Sequence, residues 1–172
     1  MADPISIFAA GVGIADVSIR LIKYLKDVKA AAESIEEDIG GLINEVEALM
    51  TVHGQLEHEY VRHTNDEGSS QEEKILWFNT GKTLKNGQTL VEKLDQSIRQ
   101  IYGNDPRVAG KRDGLIKQHR KRNQEGVVFG FRNQISTCHG ALKIWLECIA
   151  MSVMHSNTAS FTYRKLIYRK LM

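Results

Sequence analysis

The sequence predicts an all-α protein, built as a single helical bundle of about five helices. Three observations carry that prediction. Apolar residues recur every three or four positions along most of the chain, the period of a helix that buries one side. Proline, which removes a backbone donor and clashes with the preceding turn, occurs only twice in 172 residues. No segment alternates apolar and polar residues with the period of two that a half-buried strand requires. A chain of this length suits one domain and can fold without metals or disulfides. Its net charge of +2 is too small to imply a nucleic-acid partner by itself.

The first helix is expected from Pro4 to about Lys29, with Asp3 as cap and Pro4 in the first helical position. Two stripes run along it. One comprises Ile5, Phe8, Val12, Ala15, Ile19 and Ile22, and the other Ile7, Gly11, Ile14, Ser18, Leu21, Leu25 and Val28. Two adjacent stripes make the helix apolar over most of its circumference. Between Ile5 and Ala15 the only polar side chain is Ser6, and charges begin at Asp16, Arg20, Lys23, Lys26 and Asp27.

The second helix starts near Ser34, where Ser34 and Glu37 form a capping-box pattern. Ile35, Ile39, Leu42, Val46, Leu49, His53, Leu56 and Tyr60 make its seam, and Gly40-Gly41 is expected to bend or weaken it. His63 to Ser70 reads as an exposed loop. The third helix opens at Ser69 or Ser70 with Glu72 and Glu73 in its first turn. Leu76, Thr80, Thr83, Gly87, Leu90, Leu94 and Ile101 mark one face, and Tyr102-Gly103-Asn104 ends it.

Asp105-Pro106 then opens a shorter, strongly basic fourth helix. Arg107, Lys111, Arg112, Lys117, Arg120, Lys121 and Arg122 stand there against the single acid Asp113, and Gly126 marks a break. The fifth helix runs from about Val127 to His155 on the face Val128, Phe131, Ile135, Cys138, Leu142, Trp145, Ile149 and Val153. The bundle thus covers residues 1–155. A basic tail follows at 156–172, with Tyr-Arg-Lys-Leu at Tyr163–Leu166 and again at Tyr168–Leu171; the pattern assigns it no structure.

Cys138 and Cys148 fall on one helix at a separation of roughly 15 Å, beyond the 7 Å or so that a disulfide spans. Reduced thiols, and an N-terminal Met-Ala-Asp-Pro without a basic n-region, lead to the expectation of a cytoplasmic protein. No stretch of about 18 residues is free of charge, so no plain transmembrane helix is expected.

Several motifs resemble catalytic signatures and fail on geometry. Gly81-Lys82-Thr83 resembles the end of a phosphate-binding loop, but Leu76 occupies the position of the required glycine and the segment reads as continuous helix. His58 and His63 sit five apart, about 140° around a helix, where a zinc-protease motif needs one turn. His139 has neighbours Ser136 and Cys138 but no orienting partner. Trp77, Trp145 and the methionines read as core. No enzyme site, metal site or cofactor is therefore expected.

Two features remain. A helix apolar on most sides is commonly the centre of a bundle, yet this one is terminal and can leave without breaking the chain path. Its small residues Ala9, Ala10, Gly11, Gly13 and Ala15 would permit close packing in lipid. Full insertion would place Asp16 near hydrocarbon, at about 2.5–3.5 kcal/mol if central. The second feature is the basic run Arg107–Arg122 with Arg164, Lys165, Arg169 and Lys170. Such clusters bind anionic lipid headgroups or nucleic-acid phosphates, and no recognition signature favours nucleic acid.

The opening Met1–Ser18, followed by Ile22-Lys23-Tyr24-Leu25-Lys26-Asp27-Val28, resembles the HeLo-like domain. That is the fungal N-terminal domain of STAND-type (NOD-like) receptors and related cell-death proteins. Gly130-Phe131-Arg132-Asn133-Gln134-Ile135, with Cys138-His139, Leu142, Trp145-Leu146 and Ile149-Ala150-Met151, is similar to that family's closing helix. The resemblance covers about residues 1–155. It implies a bundle related to the HeLo domain and to the four-helix executioner domain of mixed-lineage kinase-like pseudokinases. It also implies clustering by a receptor or an amyloid signal, after which the first helix enters the membrane through Ile5, Ile7, Phe8, Val12 and Ile14. The expectation is therefore a non-enzymatic cell-death signalling domain that self-associates and relocates from cytoplasm to plasma membrane. A protein-interaction adaptor that leaves membrane untouched is the alternative.

Overall fold

The computed structural model describes residues 4–31, 36–63, 71–106, 126–152 and 154, with side chains described over 13–31, 39–62, 71–106, 126–152 and 154. Four helices stand among them: α1 (Pro4–Ala31), α2 (Glu36–His63), α3 (Gln71–Tyr102) and α4 (126–152). No strand occurs among the described residues. The protein is an all-helical bundle, with four helices where about five were expected. The difference is the basic segment from Arg107 to Arg122, which lies outside the described residues, as do the loop at 64–70 and the tail at 156–172.

Contacts fix the directions. Lys26 Nζ lies 2.9 Å from Glu47 Oε1 and Lys29 approaches Gly40, so α1 and α2 are antiparallel. Gly13 faces Gln88 and Tyr24 faces Arg99, so α1 and α3 run parallel in one constant register. The Tyr60 and Trp77 rings meet edge-to-face at 5.2 Å and Leu49 faces Gly87, which makes α2 and α3 antiparallel. On α4, Arg132 lies against Gly41 and Glu45, while Cys138 reaches Thr83 and Gly87 at the level of Leu49. It therefore descends beside α2, completing an up-down-up-down bundle.

Many residues of the seams predicted from periodicity are buried, and on α3 Leu84, Val91 and Ile98, outside the predicted face, join them. Ile14, Leu21, Leu25 and Val28 of α1, Ile39, Leu42, Val46, Leu49 and Leu56 of α2, Leu94 and Ile101 of α3, and Ile135, Leu142 and Ile149 of α4 form one core. Each such side chain contributes about 1.5–3 kcal/mol by leaving water. At Gly87 all four helices converge. A Cβ there would lie 3.0 Å from Ile14 Cδ1, 3.1 Å from Cys138 Sγ and 3.9 Å from Leu49 Cδ2.

Three expectations need correction. Ile19 was placed on an apolar stripe, but it is 56% exposed; it lies five residues and about 140° from Ile14, on the side away from α3. On α3 the buried side is centred on Leu84, Val91 and Ile98, and Leu76, Thr83 and Leu90 of the predicted face are only half-buried. The Gly40-Gly41 pair lies inside a continuous α2, and at Gly41 the missing side chain makes room for the Arg132 guanidinium, 2.9 Å from where a Cβ would stand. Met151 and Met154 are exposed rather than core.

The end of α3 is as predicted. Gly103 takes φ 88°, its N–H donates to Arg99 O at 2.8 Å, and only glycine enters that conformation without strain. Glu72 and Glu73 in the first turn and Arg99 in the last complement the helix dipole. The Tyr24 hydroxyl donates to Gly103 O, tying the second half of α1 to this cap.

Candidate functional site

The two halves of α1 differ. From Ile14 onward the helix is fastened to its neighbours. Ile14 is 1% exposed, Leu21, Leu25 and Val28 are fully buried, and Tyr24 is held by Gly103 and by Arg99, whose guanidinium lies 4.4 Å above the ring. Arg99 in turn donates from Nε to both oxygens of Asp95 at 2.9 Å. That hydrogen-bonded pairing raises the Arg99 pKa further above its ordinary value.

Of the predicted membrane-engaging residues, Ile14 belongs to the stripe that faces the core. The backbone at Ile5, Ile7, Phe8 and Val12 is helical, and their side chains lie outside the described residues. The sequence pattern separates them. Ile7 shares the stripe of Ile14, Leu21 and Leu25, which is buried; Ile5, Phe8 and Val12 share the other stripe, of which Ala15 is half-buried, Ile19 exposed and Ile22 buried. Asp16 and Arg20 pair at 3.1 Å on the exposed side, a surface ion pair of slight consequence. The predicted basic patch, Arg107, Lys111, Arg112, Lys117, Arg120, Lys121 and Arg122, lies wholly outside the described residues.

The motifs with a catalytic look dissolve into helix. Gly81-Lys82-Thr83 is interior to α3, where Thr83 Oγ1 donates to Asn79 O at 2.9 Å and the amides serve the helix. His58 is solvated. Burial pushes the Cys138 thiol up to about 11, so it is an inert side chain whose Sγ–H points at Thr83 O. Among the described residues no three His, Cys, Asp or Glu side chains come close enough to hold a metal. A shallow groove between α1 and α3, of about 430 Å³, is lined by Val17, Arg20, Glu92, Asp95, Gln96 and Arg99. Its carboxylates are already engaged: Asp95 by Arg99 and Glu92 by Gln88 at 2.9 Å.

One buried polar group stands out. His53 is 3% exposed, its Nε2 has no hydrogen-bond partner, and its Nδ1 is 3.9 Å from Glu57. Desolvation lowers its pKa, and the Glu57 carboxylate opposes that only in part. The unfolded chain therefore takes up the proton first as pH falls below about 6.5. The contribution of neutral His53 is present above that pH and is lost as pH falls toward the folded-state value. Urea unfolding midpoints at pH 7.5 and 5.5 should show this drop. In His53→Leu it should shrink, and stability at pH 7.5 should rise by about 1 kcal/mol because an unsatisfied buried group is gone.

A feature not singled out in the sequence is the outward face of α3. Lys74, Phe78, Lys82, Lys85 and Lys93 are all exposed and follow one another at spacings of three or four, or twice that, with Ile75 beside them. The signal was present as lysines at helical intervals, masked by Glu72, Glu73 and Asp95, which the helix turns to other sides, and by Glu92, which shares the lysine stripe. No protein-family model, characterised protein or solved structure matches the chain, and its fold and faces stand on their own.

Proposed function

We propose that this is a non-enzymatic cell-death or innate-immunity signalling domain that perturbs membrane through the first part of α1 after self-association. One observation carries the reading: the stripe of α1 that contains Ile5, Phe8 and Val12 continues to Ile19, which is 56% exposed, and joins the core only at Ile22. The resemblance to the HeLo-like domain supports it. The charge-free run Pro4–Ala15 spans about 18 Å as a helix, short of the roughly 30 Å hydrocarbon core. Entry is therefore into one leaflet, as a wedge, unless several copies combine. Ile14 and the residues after it stay with the bundle, and Arg107–Arg122 supply headgroup contacts on the cytoplasmic face. Relocation to the plasma membrane follows clustering.

The alternative, an adaptor of a NOD-like receptor without membrane activity, draws support from the complete burial of Ile14 against Gly87.

Dye release from anionic vesicles tests the proposal. Deleting the whole of α1 would remove core residues, so point substitutions are the right probe. Phe8→Asp places a charge in the entering stripe, at about 2.5–3.5 kcal/mol when deep in lipid, and leakage should slow at least tenfold with the fold intact by circular dichroism. Absence of leakage from the unsubstituted protein, even when clustered on a fused oligomer, would leave the adaptor reading.

A further inference from the structure

The outward face of α3 carries a surface that the first-helix reading does not use. Lys74, Lys82, Lys85 and Lys93 stand on it, exposed and without an ion-pair partner among the described residues. One acid, Glu92, shares their stripe seven residues beyond Lys85, and it is bonded to Gln88 rather than to a lysine. Glu92 and Asp95 lie toward the α1 groove, where they bond Gln88 and Arg99. Ile75 and Phe78 project from the same face, 52% and 49% exposed. From Lys74 to Lys93 the stripe extends about 28 Å along a straight helix. That is too long for one small ligand and suits a flat partner.

Charge and composition select the partner. Four unpaired lysines against one acid favour an anionic surface over the basic tail Arg164–Lys170 of the same chain. All four are lysine, a compact point charge, rather than the arginine fork that reads bases and phosphates bidentately. An exposed isoleucine next to a phenylalanine has no role on a phosphodiester backbone, whereas both side chains fit the headgroup–acyl boundary. Position agrees. The constant register between α1 and α3, Gly13 with Gln88 and Tyr24 with Arg99, sets the start of α1 level with Asn79. The apolar pair and the charge-free start of α1 thus occupy the same end of the bundle.

We propose that the outer face of α3, through Lys74, Lys82, Lys85 and Lys93 with Ile75 and Phe78 as a shallow apolar anchor, docks the folded bundle on anionic membrane. Docking is reversible and salt-sensitive, and it precedes any entry of α1. The inference deepens the membrane reading above and shares its assumption that lipid is the partner.

Co-sedimentation of the full chain with phosphatidylcholine vesicles, with and without about 30% phosphatidylserine, tests it. The protein should bind only the anionic vesicles, and salt that shortens the screening length to about 3 Å should release it. A lysine near a charged surface is worth roughly fivefold in binding. Lys82→Glu combined with Lys85→Glu should therefore reduce binding at least twentyfold. Phe78→Ser should weaken vesicle binding but leave binding to a polyanion such as polyuridylate unchanged. All these residues are exposed, so the unfolding midpoint should stay put. Phe8→Asp separates the two ideas: it should stop leakage and leave sedimentation unchanged. Equal binding to neutral and anionic vesicles, or insensitivity to the double charge reversal, would overturn the α3 face while leaving the α1 reading in place. Binding of polyuridylate but not vesicles would assign the face to nucleic acid, and a salt-sensitive dimer lost on charge reversal would assign it to a second copy.

Discussion

Gly87→Leu should destabilise the bundle by about 3 kcal/mol, near the upper end of overpacking effects. For a chain of this size that lowers the melting temperature by about 6–12 °C. The reason is the crowding at one point. Ile14, Leu49 and Cys138 come from three different helices and all stand within 3.9 Å of where a Gly87 Cβ would lie. A leucine cannot be absorbed by moving one of them. Ile14 is the neighbour nearest the end of its helix, so it yields first, and the start of α1 loosens with it. Gly87→Ala is the control. Replacing a mid-helix glycine gains about 1 kcal/mol of helix propensity. Against that, the new methyl requires Ile14 Cδ1 and Cys138 Sγ to give by a few tenths of an ångström. The two effects nearly cancel, so alanine should be close to neutral while leucine is severe. Thermal melts of both variants check this, and equal melting temperatures for the two would mean the junction is not crowded. On the proposed function, Gly87→Leu should also raise vesicle leakage without any clustering signal.

Leu25→Ala should cost about 2–5 kcal/mol, the range for truncating a fully buried leucine, whereas Ile19→Ser should change stability by less than about 0.5 kcal/mol. The pair tests which side of α1 the bundle holds. Leu25 belongs to the buried core of a helix that packs on both α2 and α3, and its truncation should leave a cavity there. Ile19, six positions earlier, is over half exposed and faces water. Chemical unfolding of both variants reads the difference. A large cost at Ile19 would place the apolar stripe of Ile5, Phe8 and Val12 against protein and remove the main support for membrane engagement.

The helices and their buried faces were legible because burial on one side imposes a 3.6-residue period that the residue types obey. Ile39 through Leu56 on α2 and Ile135 through Ile149 on α4 are examples. The close of α3 was legible because a left-handed residue after a helix calls for glycine, and Gly103 supplies it. On α1 the period was ambiguous: two apolar stripes side by side satisfy the same spacing, and only packing against α3 decides that Ile14 and Leu21 turn inward and Ile19 outward. The packing reason for Gly41 was not legible because it sits on another helix, in Arg132. The same holds for the lysine face of α3. Lys74, Lys82, Lys85 and Lys93 are interspersed in sequence with Glu72, Glu73, Glu92 and Asp95, and a mixed-charge helix looks merely solvated until the helix wheel turns all of these acids but Glu92 away from the lysines.

Cys138 gives the bundle a built-in chemical clock. Its sulfur is sealed where the four helices meet and its thiol is held to about 11, while Cys148 sits half-exposed on the same helix. A thiol reagent at neutral pH should modify Cys148 promptly and Cys138 only during moments when the junction opens. The slow phase of labelling thus counts openings of the core one molecule at a time. Any trigger that pries α1 from Gly87, whether a partner, a lipid surface or a substitution, should quicken that phase before the helix content changes.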